Sequence, residues 1–192
     1  MNDFNAAPVN WDEFCGKFEA QGVSERLQAA MADGDSDQAA AEAQEFLNSW
    51  LWRDDNGKFP ETLGFFRLGE LAAYYPVLRP SLDEAEKGRL DALYGPFAAQ
   101  WMEPAIPAES TKDLPPGMKL LALGGLSVAL NPERVRRIAG AFAAGNDEGW
   151  QGSLGKGREE GKEIVAEVTE QLLRIVQAAA DRDKGVISVF EI

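Results

Sequence analysis

The feature that most constrains the fold is a change of hydrophobic period near the C-terminus. Ile164, Val168, Leu172, Ile175 and Ala179 share one helical face, which predicts a long amphipathic helix. A glycine that is typical of a helix end follows at position 185. Residues 186–191 then alternate as a β-strand does. Together the two periods predict an α+β fold that ends on a strand.

The remainder of the chain is predicted to be predominantly helical. A helix after a cap at Asp35 or Ser36 has an apolar face that ends in Trp50 and Leu51. Further helical spacing runs from residue 60, and another helix starts at the capping-box pair Ser81 and Glu84. Residues 118–130 mix aliphatic side chains with two glycines, which predicts a strand or hairpin. With residues 186–191 it would form a small sheet.

Proline content suggests how the chain is divided. Four prolines fall within residues 103–117, which indicates an extended connector. The sequence therefore predicts one domain, 1–192, with two lobes. Residues 1–102 would form an acidic helical lobe, and residues 118–192 would form a strand-helix-helix-strand lobe.

The C-terminal lobe combines several recognisable parts. The motif LNPERV at residues 130–135 precedes an amphipathic helix, a variable loop and a long helix. That long helix runs through Ala178, Ala179 and Ala180 into a strand of Val and Ile. Over residues 118–192 this combination resembles the YfbM-like family of uncharacterised bacterial proteins. The resemblance implies an α+β fold with a small sheet, and it implies no activity.

The lack of histidine and the single cysteine exclude most kinds of catalytic site. The 192 residues include no histidine and one cysteine, Cys15. Ser-His-Asp and Cys-His catalysis, histidine-ligated metals and thiolate zinc sites are therefore excluded within one chain. Cys15 has acidic neighbours and lies on an apolar stripe, so we expect an unreactive, buried thiol. The sequence predicts neither a catalytic residue nor a cofactor, and it favours a protein that is not an enzyme.

Charge indicates the kind of partner. The net charge is −13, and residues 1–60 contribute twelve acids against four bases. A surface of this sign repels nucleic acid and attracts basic proteins. No apolar run is long enough to span a membrane, and the start of the chain does not resemble a signal peptide. We therefore expect a cytoplasmic protein that binds neither nucleic acid nor membranes.

The candidate partner-binding residues lie in the acidic N-terminal third. An exposed tryptophan beside charged residues is typical of an interface anchor, and Trp52 falls off the apolar face that Trp50 and Leu51 share. The predicted set is Asp33, Asp35, Asp37, Trp52, Asp54 and Asp55. The leading hypothesis is a protein-binding domain, with an immunity or inhibitor protein as its specific form.

Two other functions remain open at this point. Glu160, Glu163 and Glu167 share a helical face and could ligate Mg²⁺ in an enzyme resembling helical pyrophosphohydrolases, if a second helix supplied further acids. A small molecule could instead bind between the lobes near Met118 and Gly125, which would require a sizeable apolar pocket.

Overall fold

The computed structural model of the protein describes residues 3–53, 61–99, 109–143 and 159–190. Within these ranges the fold is predominantly helical α+β, with one four-stranded antiparallel sheet. None of the helices in these ranges has the length and apolar character needed to cross a membrane. The helices and strands, in chain order, are β1 (Asp3–Val9), α1 (Trp11–Ala20), α2 (Val23–Ala32), α3 (Ser36–Leu51), β2 (Glu61–Gly64), α4 (Phe65–Leu78), α5 (Glu84–Leu93), β3 (Leu126–Leu130), α6 (Pro132–Ala143), α7 (Glu159–Ala180) and β4 (Gly185–Phe190).

The strand order in the sheet is β2-β1-β4-β3. β4 lies between β1 and β3, with Phe190 opposite Phe4 in β1 and Val186 opposite Leu130 in β3. The register of β3 shifts at Ser127, which places one extra residue in that strand. The strands predicted within 118–130 and at 186–191 are confirmed as β3 and β4.

β1 and β2 were not predicted from the sequence. β1 pairs with β4 on one side and with β2 on the other, and its residues 4–9 are all buried. The helix predicted from residue 60 begins only at Phe65, because residues 61–64 pair with β1. The first segment of the chain is therefore a central strand of the sheet.

The sheet separates two hydrophobic cores. The core on one face is formed by α4, α5, α6 and α7, and the core on the other face by α1, α2, α3 and the 3₁₀ helix Pro116–Gly124. This arrangement corrects the predicted lobes 1–102 and 118–192, since α4 and α5 pack with the C-terminal helices. The cores follow the faces of the sheet because each strand points alternate side chains to opposite sides. Residues 103–108 of the predicted connector lie outside the described ranges.

Two helices begin where a side chain accepts a hydrogen bond from a backbone N–H group of the first turn. The Asp35 side chain accepts a hydrogen bond from the backbone N–H of Gln38 at 2.9 Å, which confirms the predicted start of α3. α5 starts two residues later than predicted, at a capping box between Asp83 and Glu86 instead of Ser81 and Glu84. The Asp83 side chain accepts from the Glu86 N–H at 2.9 Å, and the Glu86 carboxylate accepts from the Asp83 N–H at 3.2 Å.

Residues 116–124 form a 3₁₀ helix, whereas the sequence predicted a strand or hairpin there. Pro115 and Pro116 provide the fixed backbone angles at its start, and Gly125 ends it with φ 89°. At Gly124 the helix packs directly on the backbone of α3, where a Cβ atom would lie 2.6 Å from the carbonyl carbon of Ala43. The glycine thus permits a close approach between these two elements.

Candidate functional site

The layer formed by α1, α2 and α3 carries the strongest charge of the described chain. We call these three helices the acidic layer. Residues 3–53, which contain the acidic layer, have ten acidic and three basic side chains. Eight acids lie exposed on its helices and connecting turns, since the apolar faces point into the shared core: Asp12, Glu13, Glu19, Glu25, Asp33, Asp35, Asp37 and Glu45. The outer surface of the acidic layer therefore presents negative charge along all three helices.

Two of its three bases are held in ion pairs. Arg26 Nε lies 2.7 Å from Glu42 Oε2, and Arg26 also donates to the backbone carbonyl of Gln21 at 2.6 Å. Arg53 Nη1 lies 3.4 Å from Glu13 Oε1, with its guanidinium carbon 4.8 Å from the centre of a Trp50 ring. These arginines join neighbouring helices of the layer, and they leave the excess of acids uncompensated.

The structure places the predicted binding residues at the two ends of α3. Asp33, Asp35 and Asp37 are exposed at its start, and Trp52, with 56% of its surface exposed, caps its end. The 16 residues of α3 rise by 1.5 Å each, so the two groups lie about 22 Å apart. Trp50 and Leu51 are buried, as predicted. Asp54 and Asp55 lie outside the described residues.

Met31 is a residue of this surface that sequence reasoning missed. It is 42% exposed near the end of α2, beside the turn that carries Asp33 and Asp35. The signal was available, because Met31 falls off the buried stripe of Val23, Leu27 and Ala30. An exposed apolar side chain therefore lies near each end of α3, Met31 at its start and Trp52 at its end.

The alternative magnesium site gains no support from the described geometry, and Cys15 is half-buried where the sequence predicted a buried, unreactive thiol. Glu167 lies 3.4 Å from Arg67 of α4, and the side chains of Glu160 and Glu163 lie outside what the structure describes. Among the described residues no three acidic or cysteine side chains are grouped as metal ligands would be. Burial and the charges of Asp12 and Glu19 raise the pKa of Cys15 to about 11, which keeps the thiol protonated at neutral pH.

A partly open cavity of about 550 Å³ lies between α5 and the start of α6. Lys112, Arg134 and Arg137 contribute positive charge to its lining, and Asp91, Asp113 and Glu133 contribute negative charge. The π-helical turn Tyr94–Ala98 also borders it, a conformation that is rare and often found at functional sites. The region near Met118 and Gly125 does not line this cavity, since Met118 and Leu121 are buried in the core beside α3.

One acid of the cavity is held by residues of α4 and of the 3₁₀ turn Arg79–Ser81 that follows it. Arg79 donates to both oxygens of Asp91 at 2.8 Å, and the Tyr75 hydroxyl donates to Oδ1 at 2.7 Å. The ring of Tyr75 stacks on that of Tyr94, with centroids 3.5 Å apart. Arg79 and Tyr75 lower the pKa of Asp91, so its carboxylate stays ionised at neutral pH.

A second acid orders the start of α6. Asp113 Oδ2 accepts from the backbone N–H of Asn131 at 3.0 Å, and the Asn131 side chain accepts from the Arg134 N–H at 2.8 Å. Asp113 Oδ1 also lies 3.8 Å from Arg134 Nη1, with both side chains about nine-tenths buried. The cap at Asn131 lies within the motif at residues 130–135, whereas Asp113 contacts it from eighteen residues away.

Comparison of this chain with protein-family models, with curated proteins and with solved structures finds no match. The acidic layer and the cavity are therefore the two features from which a function can be inferred.

Sequence reasoning missed the cavity because its parts come from distant segments. Asp91 and Arg79 are twelve residues apart, and Asp113 and Asn131 are separated by eighteen. No local motif joins residues at such spacings. The only available signal was the run of arginines at positions 134, 136 and 137 after a helix cap. Of these arginines, Arg137 pairs with Glu133 one helical turn earlier, at 3.0 Å.

Proposed function

We propose that this chain is a protein-binding domain that contacts a basic partner through the outer surface of its acidic layer. The observation that carries the proposal is the arrangement of α1–α3, which expose eight acids while Arg26 and Arg53 are held by Glu42 and Glu13. Complementary charge of this kind speeds association and excludes partners of the wrong sign.

The size of the layer fits one protein interface. A standard interface buries about 800 Å² on each partner, which corresponds to a patch about 30 Å across. The separation of about 22 Å between Trp52 and the Asp33–Asp37 turn lies within that diameter. One partner can therefore contact both ends of α3 at once, with Trp52 and Met31 as apolar anchors inside an acidic surround.

The specific form that we propose is an immunity or inhibitor protein. Such proteins need no catalytic group of their own, and they act by covering a basic surface of another protein. An acidic layer without metal ligands among its described residues, and with its one thiol protonated, is suited to that role. Magnesium-dependent hydrolysis would instead require acids from a second helix, and the described neighbour of Glu167 is Arg67.

The test compares two triple variants with equal change of net charge. The first replaces Asp33, Asp35 and Asp37 with Asn in the acidic layer. The matched control neutralises three exposed acids that lie on helices of the other sheet face or at their ends: Glu84, Glu170 and Asp181. Partners are captured from a lysate of cells that express the protein at about 50 mM salt, identified, purified and then titrated against each variant.

We expect one basic partner that the layer variant binds about tenfold more weakly, because three interface charges contribute roughly 0.5 kcal/mol each. The control variant should lose less than about twofold, since its charges lie on or beside helices of the other sheet face, where salt screens them from the partner. Trp52→Ala should weaken binding further and with little dependence on salt. Equal losses for both triple variants, or no partner at all, would refute the proposal.

A further inference from the structure

Two charged side chains of α5 lie inside the protein, and neither belongs to the acidic layer or to the lining of the cavity. Glu86 is 4% exposed and Arg89 is 3% exposed. Among the described residues no other charged side chain is buried as deeply. The two share the buried stripe of α5 with Leu90 and Leu93, which belong to the core on the face of the sheet opposite the acidic layer. The pair is therefore a feature of its own.

Three polar atoms of this pair have no hydrogen-bond partner within the part of the chain that the structure describes. They are Glu86 Oε1, Arg89 Nε and Arg89 Nη2. The other carboxylate oxygen, Glu86 Oε2, accepts from the Asp83 backbone N–H at 3.2 Å as part of the capping box. A buried charged group that lacks a hydrogen bond destabilises the folded state strongly, so such groups are nearly always paired with protein atoms or with ordered water.

The two nitrogen atoms of Arg89 lie on one edge of its planar guanidinium group. Their N–H groups point in parallel from this edge, toward one shared acceptor or two adjacent oxygens. The same edge of Arg79 donates to both carboxylate oxygens of Asp91, at 2.8 Å each. Arg89 has the same two donors, but Glu86, one turn before it on α5, does not accept from them. A group that satisfies the pair must therefore accept from Arg89 and donate to Glu86.

The position of the pair shows which kind of group meets this requirement. Residues three apart on a helix have Cβ atoms about 5–6 Å apart, so Glu86 and Arg89 are neighbours on one face. Since both side chains are almost fully covered, the site admits only a small molecule. An anion would be attracted by Arg89 and repelled by Glu86, whereas a water molecule both donates and accepts. Buried waters typically make about three hydrogen bonds to polar groups that otherwise lack a partner.

From these contacts we infer that Glu86 and Arg89 form a binding site for one ordered water molecule. The water accepts from Arg89 Nε and Nη2 and donates to Glu86 Oε1, which completes a bridge between opposite charges on successive turns of α5. Because Glu86 also accepts from the Asp83 N–H, the bridge joins the capping box to the buried stripe of the helix. The bound water is structural, and no covalent step is involved.

A crystal structure of the unaltered protein at atomic resolution tests the inference directly. We expect one water oxygen within about 3.2 Å of all three atoms. The inference fails if no water lies there, or if a protein group or an ion accepts from Arg89 Nε and Nη2 in place of water. This measurement needs no variant, so it decides the inference even where a substitution prevents folding.

Variants then show that the charged pair holds the water. Arg89→Met keeps a long side chain and removes two of the three partners, so the water should be lost from the structure of that variant. Lys87→Met is the matched control, because it removes a positive charge from the same helix and leaves all three atoms in place; Lys87 pairs with Glu84 at 2.7 Å instead. Water that persists in Arg89→Met, or that is lost equally in Lys87→Met, would overturn the assignment.

Discussion

The substitution Gly124→Ala tests how the acidic layer is attached to the rest of the fold. A Cβ atom at position 124 would lie 2.6 Å from the carbonyl carbon of Ala43 and 2.7 Å from its Cβ, and it would also approach the backbone nitrogen of Gln44. Unstrained carbon atoms lie about 3.5–4.0 Å apart. The 3₁₀ helix must therefore move about 1 Å away from α3, because a backbone obstacle cannot rotate aside.

The magnitude follows from two opposing effects. An added methyl group in a well-packed core costs about 1–3 kcal/mol, and we take the upper end because the neighbour is backbone. Replacing glycine with alanine also lowers the conformational entropy of the unfolded chain, which stabilises the folded protein by about 0.4–1 kcal/mol. The net loss in the free energy of unfolding is about 2 kcal/mol, which corresponds to a melting temperature about 4–8 °C lower for a chain of this length.

Gly140→Ala is the matched control for this experiment. Gly140 lies exposed within α6, and an added Cβ atom there would have no neighbour within 4 Å. The same substitution should stabilise the protein by about 0.5–1 kcal/mol through helix propensity. Urea unfolding followed by circular dichroism measures both variants. The reasoning about close backbone packing would be refuted if Gly124→Ala were neutral or stabilising while Gly140→Ala behaved as expected.

Two further predictions concern side chains with raised pKa values. Burial and the bond to Asp91 raise the pKa of Tyr75 to about 12, so the stability it contributes should be present below about pH 10 and lost as the pH rises toward 12. An ultraviolet absorbance titration should show an ionisation near pH 12 that Tyr75→Phe removes. Cys15, with a pKa of about 11, should react with iodoacetamide about 100-fold more slowly at neutral pH than in urea, and equal rates would contradict the raised pKa.

Helix stripes and caps were predicted well because they depend on residues close together in the chain. Asp35 and Asn131 accept the backbone N–H groups of residues three positions later, as their side-chain chemistry indicates. The error at α5 has the same local origin, since Asp83 is also a capping residue and its partner Glu86 sits at the required spacing. Two adjacent capping boxes were available in the sequence, and only tertiary packing selects between them.

β1 could not be predicted from local pattern. Its residues, DFNAAPV, include one β-branched side chain and a proline, and central strands usually avoid proline. Since residues 4–9 are buried on both faces of the sheet, they also lack the alternation that identifies a half-exposed strand. The strand exists because β4 offers it a long pairing partner, from Gly185 opposite Val9 to Phe190 opposite Phe4. That pairing joins the two ends of the chain, far beyond the reach of any sequence window.

The position of β1 also determines how the acidic layer and the cavity relate to each other. Its side chains alternate between the two cores, with Phe4 and Ala6 on the side of α4–α7 and Ala7 and Val9 on the side of α1–α3. The acidic layer and the cavity therefore share the sheet but no helix. Substitutions of exposed residues on one side should leave binding on the other unchanged, because effects at separated sites without shared partners are additive. Coupling between the cavity and a protein bound to the acidic layer would have to pass through the paired strands β1 and β4, so measured independence is the expected result.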